Sequence, residues 1–249
     1  MKRIGYSGVR STIGEYVHLV SRIAPIFITA DARADQLKAY CLKHRLSYSS
    51  VLIKTAANLK HRYPIMNAVL GRGFLRKKIF FPDDVDMAVA VEKTENGEIF
   101  VTTPIIRSAD KKSVDEIAAE LKGMARTPFK ERSDIKPILF FNLLPSFMKY
   151  FIFRIIGQNQ RLFRNFFGTV GFSNLGALGV MNFFPLWPQS VTFGIGSVEE
   201  KAVVVDGSIE TAPILHISLG FNHRVLDGGV AARILGEFKR MIESGEFES

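Results

Sequence analysis

Residues 214–235 read ILHISLGFNHRVLDGGVAARIL. Leu215, Ile217, Leu219 and Phe221 alternate with polar or small residues, the period of a strand with one buried face. The strand ends at His223, and Asp227-Gly228-Gly229 opens a helix. Val230, Ile234, Phe238, Met241 and Ile242 give that helix an apolar stripe. A histidine at a strand end, on a loop held by a rigid scaffold, suits general-base work near neutral pH. The same residues also have a purely structural reading. Asp before Gly-Gly is a common N-cap, and His223 would then be a surface histidine.

Working outward, residues 10–22 form a helical pattern with Ile13, Val17, Leu19 and Val20 on one side, stopped by Pro25. Residues 26–30 alternate as a strand. Helices follow at 34–44 and from Ser49-Ser50, the second ended by Tyr63-Pro64. A short strand is predicted at 78–81. Val85, Met87, Val89 and Val91 alternate, Glu95-Asn96-Gly97 signals a turn, and 99–106 reads as the return strand. Ser113 and Glu116 form a capping box before the helix of Ile117, Leu121 and Met124. Further strands are predicted at 168–173, 190–198 and 202–205, with a tight turn at Asp206-Gly207. Strands and helices are mixed rather than strictly alternating. The expected architecture is an α/β (α+β) two-layer sandwich, a mixed β-sheet with helices packed on one face, and not a doubly wound nucleotide fold.

The 249 residues are 47% hydrophobic, enough for a core without disulfides or metal. We expect one domain over 1–249, because nothing in the middle reads as a linker. The lone Cys41 removes a disulfide framework and a thiolate zinc site, and fits a reducing compartment. No His/Asp/Glu cluster has ligand spacing, so no metal is expected. The formal charge of +9 suits a partner bearing phosphate or carboxylate. Nucleic acid is not expected, because neither a recognition-helix motif nor an aromatic-basic stacking pattern is present. The start is basic but lacks the apolar run of a secretory signal, and no stretch reaches the about 18 apolar residues of a spanning helix. These features together predict a soluble cytoplasmic protein.

The run His223-Arg224-Val225-Leu226-Asp227-Gly228-Gly229, with Ala231-Ala232-Arg233 after it, resembles the active-site signature of the acyltransferase catalytic domain of 2-oxoacid dehydrogenase complexes. The same His-x-x-x-Asp-Gly pattern marks chloramphenicol acetyltransferase. Three further segments match in order: Arg10 with Ile13 and Ala24-Pro25; residues 49–57 with Pro64, Asn67 and Ala68; and the run GTVGFSNLG at 168–176. The resemblance covers roughly residues 10–242.

It implies a chloramphenicol acetyltransferase-like fold and a homotrimer with its active site in a channel between subunits. It implies an acyltransferase that uses a coenzyme A (or carrier-bound) thioester as co-substrate. His223 would be the general base that deprotonates a thiol, hydroxyl or amine acceptor, which attacks the thioester directly without an acyl-enzyme. Ser173 would donate to the tetrahedral oxyanion. Asp227 would pair with Arg10 and hold the His223 loop. A positioned base is worth about 10²–10⁴ in rate, and one oxyanion donor about 3–4 kcal/mol. Structural alternatives stand beside these roles: Ser173 as a turn residue, Arg10 as a solvated helix-start arginine. His216 reads as structural, and His18, His44 and His61 as surface residues.

Three departures from the family pattern stand out. Asn222 precedes His223 where the family has Asp. No lipoyl domain, and so no covalent lipoyl group, is expected on this chain; the acceptor would be a small molecule, a lipid or a carrier protein. Residues 135–167, IKPILFFNLLPSFMKYFIFRIIGQNQRLFRNFF, are aromatic and basic where the family has a polar helix and linker. Phe140, Phe141, Leu143, Phe147, Phe151 and Ile155 contribute to nearly continuous apolar surface there, with Pro145 set to break any single long helix. The segment has three readings: a helix buried against the sheet or a second subunit, a pocket for a long acyl chain, or a peripheral membrane contact. Arg161 and Arg164, just before the Ser173 strand, would meet the phosphates of coenzyme A. Rival readings for the whole chain are a non-catalytic trimeric scaffold and a membrane-surface or lipid-handling protein of the same fold.

Overall fold

The computed structural model describes residues 8–21, 23–72, 76–95, 98–127, 141 and 143–248. Helix α1 spans Gly8–Val20 and is followed by strand β1 (Pro25–Arg33), α2 (Asp35–His44) and α3 (Tyr48–Asn58). Short strands come next: β2 (Val69–Arg72), β3 (Lys77–Phe80), β4 (Met87–Val89), β5 (Val91–Glu95), β6 (Glu98–Thr102) and β7 (Ile105–Ile106). Helices α4 (Val114–Arg126), α5 (Ser146–Gln158) and α6 (Gln160–Phe167) precede β8 (Val170–Asn174), β9 (Val191–Val205), β10 (Ser208–Asn222) and α7 (Gly228–Ser244).

Six strands form the main sheet in the order β1-β10-β9-β8-β4-β7. It is mixed: β8 runs parallel to both β4 and β9, and the remaining pairs are antiparallel. The predicted alternation in β10 holds. Leu215, Ile217, Leu219 and Phe221 enter the principal core with Val191, Phe193 and Ile195 of β9, under α7, α2 and α3. Phe193 and Phe238 meet at 4.8 Å between ring centroids. Burying a side chain of this size contributes about 1.5–3 kcal/mol, so this layer carries most of the stability.

The opposite face of the sheet is covered without helices. Residues 180–188 run across it in irregular conformation, and glycines let them approach. A Cβ on Gly196 would lie 1.6 Å from the Met181 carbonyl oxygen, and one on Gly194 2.2 Å from Ser218 Oγ. Ser218 Oγ donates to the Phe183 carbonyl at 2.8 Å, which ties this covering strip to β10.

Several predicted boundaries shift for identifiable reasons. Residues 190–198 and 202–205 are one strand, because β9 continues past the sheet as a ribbon with β10. Asp206 and Gly207 close it with φ of 49° and 83°, the pair of positive values that a primed hairpin turn requires. The alternation at 85–91 divides between β4, in the main sheet, and β5, which pairs with β6. Residues 99–106 divide at Pro104, which has no N–H to donate. The turn expected at Asn96-Gly97 lies outside the described residues. The capping box forms: Glu116 N–H donates to Ser113 Oγ at 3.2 Å and Ser113 N–H to Glu116 Oε2 at 2.8 Å.

The 135–167 stretch is not one helix. Pro145 is the N-cap of α5, and Asn159 caps α6 by accepting from the backbone N–H of Arg161 and Leu162. Neither helix joins the principal core. Phe141, Phe153, Ile156, Phe163 and Phe167 close a separate apolar cluster with Val69, flanked by Tyr16 of α1. Residues 135–140, including Phe140, lie outside the described residues. Among the described residues no helix is long and apolar enough to cross a membrane.

Candidate active site

β10 delivers His223 at its end, beside β1, where the His223 N–H donates to the Ala24 carbonyl at 3.1 Å. The loop that follows is shaped by Asn222. This side chain is buried, and its Oδ1 accepts from the Arg224 N–H at 3.0 Å. The Asn222 carbonyl accepts from Val225 and Leu226, and its N–H donates to Ser190. Sequence reading noted Asn222 only as a departure and missed this role. The signal was available, since Asn closes such turns with its own side chain.

His223 is half-exposed, and Asp227 Oδ1 lies 3.5 Å from its Nδ1. That is longer than a well-formed hydrogen bond, so the interaction is chiefly electrostatic. It favours the tautomer with the hydrogen on Nδ1, which leaves the lone pair on Nε2. Asp227 is 88% exposed and starts α7 without a side-chain capping bond. The expected Arg10–Asp227 pair cannot be placed: Arg10 is in α1, but its side chain lies outside the described residues.

Ser173 is buried on β8, on the sheet face that residues 180–188 cover. The turn after it is rigid. Asn174 donates to Ser49 Oγ at 3.0 Å and accepts from the Gly176 N–H at 2.8 Å. A Cβ at Gly176 would lie 2.2 Å from the Gly196 carbonyl oxygen.

The sheet register fixes the distance between the two predicted catalytic groups. Ser173 stands opposite Gly194, and Gly194 opposite Ser218. His223 lies further along β10 from Ser218. With about 4.8 Å between strands and 3.3 Å per residue, Ser173 and His223 of one chain are on the order of 20 Å apart. A single carbonyl cannot meet both of them within one chain.

Arg164, expected at a coenzyme A phosphate, is engaged by the fold itself. Its Nε donates to Asp86 Oδ2 at 2.7 Å, and its terminal nitrogen lies 3.8 Å from Asp84. The buried Asp86 also accepts from Arg107 at 2.8 Å. Hydrogen bonding to Asp86 holds the Arg164 guanidinium above its ordinary pKa. Arg161 remains exposed on α6, with no ion-pair partner among the described residues. His216 is buried against Asp31 at 2.7 Å and is part of the sheet, as read from the sequence. Among the described residues no cluster of three or more His, Cys, Asp or Glu could hold a metal ion.

Residues 1–133 and 166–247 match the family described as 2-oxoacid dehydrogenases acyltransferase (catalytic domain). The unmatched interval falls on the aromatic-basic segment. A curated relative, the dihydrolipoyllysine-residue acetyltransferase component of the pyruvate dehydrogenase complex of Rickettsia bellii, is 33% identical over 80% of this chain. The chain spans 40% of that relative's length. Dihydrolipoamide acetyltransferase of Azotobacter vinelandii superposes with a TM-score of 0.75 at 19% identity, covering 98% of this chain and 91% of that one. A chloramphenicol acetyltransferase superposes at 0.51 with 13% identity, over 95% and 94% of the two chains. The fold is therefore the chloramphenicol acetyltransferase-like one, and the chain belongs to the family of 2-oxoacid dehydrogenase acyltransferase catalytic domains.

Proposed function

We propose that this chain is an acyltransferase that moves an acyl group from a coenzyme A or carrier-bound thioester directly to a thiol, hydroxyl or amine. His223 Nε2 takes the acceptor proton as the new bond forms to the thioester carbon. Ser173 Oγ donates to the oxygen as it becomes an oxyanion. The C–S bond then breaks, and the departing thiolate recovers the proton from His223. Asp227 steadies the imidazolium, and Asn222 holds the loop. The relative's name makes a dihydrolipoyl thiol the first acceptor to try, presented by a separate carrier. Arg161 is the candidate contact for a coenzyme A phosphate.

The observation that carries this reading is a histidine on a tightly bonded loop, with a carboxylate 3.5 Å from Nδ1. The separation of Ser173 from His223 supports an assembly in which one copy supplies the base and its neighbour the oxyanion donor. We propose a homotrimer.

The test uses two variants, His223→Ala and Ser173→Ala, each assayed for thioester consumption with dihydrolipoamide as acceptor. Each alone should lose about 10²-fold or more in kcat while keeping its assembly. Co-assembled, they should recover part of the activity, because some interfaces then join an intact His223 to an intact Ser173. Full turnover by His223→Ala sinks the mechanism. Absence of recovery from mixed assemblies sinks the shared site. No turnover by the unaltered protein with any thioester favours the scaffold reading.

A further inference from the structure

The interval outside the family match builds a wall beside the His223 loop. Tyr150, Phe153, Arg154 and Gly157 of α5 lie three, four and seven residues apart and share one helix face. That face lines a cleft of about 550 Å³, within the usual range for small-molecule sites. The β2–β3 hairpin forms the facing wall through Leu70, Gly71, Arg76 and Lys77. Asn222 and Arg224, the residues on either side of His223, are part of the lining. Gly71 lets hairpin and helix approach closely: its Cβ would sit 3.3 Å from Gln160 Cβ of α6, and 2.9 Å from the Phe80 ring within the hairpin.

Charge and apolar surface together define what the cleft would take. Arg76, Lys77, Arg154 and Arg224 line it, against one carboxylate, Glu15. None of these four cations has a carboxylate partner among the described residues; Arg154 has the Tyr150 hydroxyl at 3.4 Å. Several arginines elsewhere are paired: Arg107 and Arg164 with Asp86, Arg240 with Glu237 and Glu246. Four cations in one lining raise the local potential and favour an anion, most strongly a phosphate or carboxylate that can accept bidentate bonds. Phe153, Phe163, Leu70 and Ile23 supply the apolar lining.

We infer that this cleft binds an anionic amphiphile, an apolar chain ending in a phosphate or carboxylate. Such binding goes beyond the acyltransferase reading and does not depend on it. The cations hold the anionic group, the aromatic residues hold the chain, and Asn222 and Arg224 place the cleft beside the His223 loop.

The experiment is a calorimetric titration of the whole protein with dodecyl phosphate below its micellar concentration, then with dodecanoate, inorganic phosphate and coenzyme A. One dodecyl phosphate should bind per chain, dodecanoate should compete, and inorganic phosphate should bind about tenfold more weakly or worse. Arg154→Glu combined with Arg76→Glu should weaken binding by about tenfold or more, and Lys43→Glu, on the surface of α2, should not. Lys77→Glu, on an exposed strand, gives the same answer should Arg154→Glu unfold α5. His223→Ala should still bind. Loss of turnover with binding intact therefore speaks only about the catalytic reading, and loss of binding with turnover intact only about the cleft. The inference is overturned if no soluble amphiphile saturates. It is equally overturned if coenzyme A displaces dodecyl phosphate with the same charge dependence, which makes the cleft a donor site. Capture by phosphatidylglycerol vesicles without binding of the soluble amphiphile overturns it too, by moving the contact to the outer face of α5.

Discussion

The covered face of the sheet and the α5–α6 segment are built to opposite standards. At the sheet, buried polar side chains have partners: Ser218 of β10 on the Phe183 carbonyl, His216 of β10 on Asp31, and Ser190, just before β9, on the Ala68 carbonyl. A Cβ on Gly194, Gly196 or Gly220 would lie less than 3 Å from Ser218 Oγ, the Met181 carbonyl oxygen or the Phe27 ring. On α5, Phe147, Phe151 and Ile155 are 65%, 58% and 58% exposed, one stripe at helical spacing facing away from the small cluster. Among the described residues the cations of the neighbouring cleft form no ion pair. The first region is over-determined and tolerates little change. The second is built to its own small cluster, leaves both apolar and cationic surface open, and is where the sequence leaves the family pattern.

The largest expected effect tests the over-determined side. Gly196→Val sets a side chain against the Met181 carbonyl, and soluble folded protein should be lost altogether, as followed by circular dichroism and gel filtration. A folded Gly196→Val protein would break the contrast at once. Asp86→Ala should cost about 3 kcal/mol in urea unfolding, because it strands Arg107 and Arg164 at a buried junction, although both guanidinium groups keep some contact with solvent. The smallest effect belongs to α5. Phe151→Ser with Ile155→Ser should change unfolding free energy by no more than about 0.5 kcal/mol, since both residues are more than half exposed. A larger loss in dilute solution would show that this stripe is covered in the assembled protein, and would sharpen the comparison into one between two kinds of interior.

What could be read from the sequence follows from how local its causes are. The alternation of β10, the capping box at Ser113 and the turn at Asp206-Gly207 depend on neighbours within a few residues, and each appears as expected. The His223 loop was legible because its motif is contiguous. The covering strip at 180–188 was not, because its reason lies in glycines on β9 and β10, remote in sequence. The polar run Glu199-Glu200-Lys201 looked like a break, yet β9 continues there because cross-strand pairing with β10 holds it. Arg164 was read as open for a phosphate because Asp86, distant in sequence, gives no local sign of claiming it. The two clusters of α5 and the sheet are equally apolar in sequence, and only packing separates them.

The register that sets Ser173 far from His223 also bears on how damage spreads. Each chain carries two unlike halves of the proposed site and finishes neither alone. A lesion in one copy therefore disables a site shared with a neighbour and leaves its own other half still usable. Where every altered chain carries the same lesion at His223, the sites lost simply equal the altered copies; only lesions in both halves, carried on different chains, make the loss depend on how copies combine.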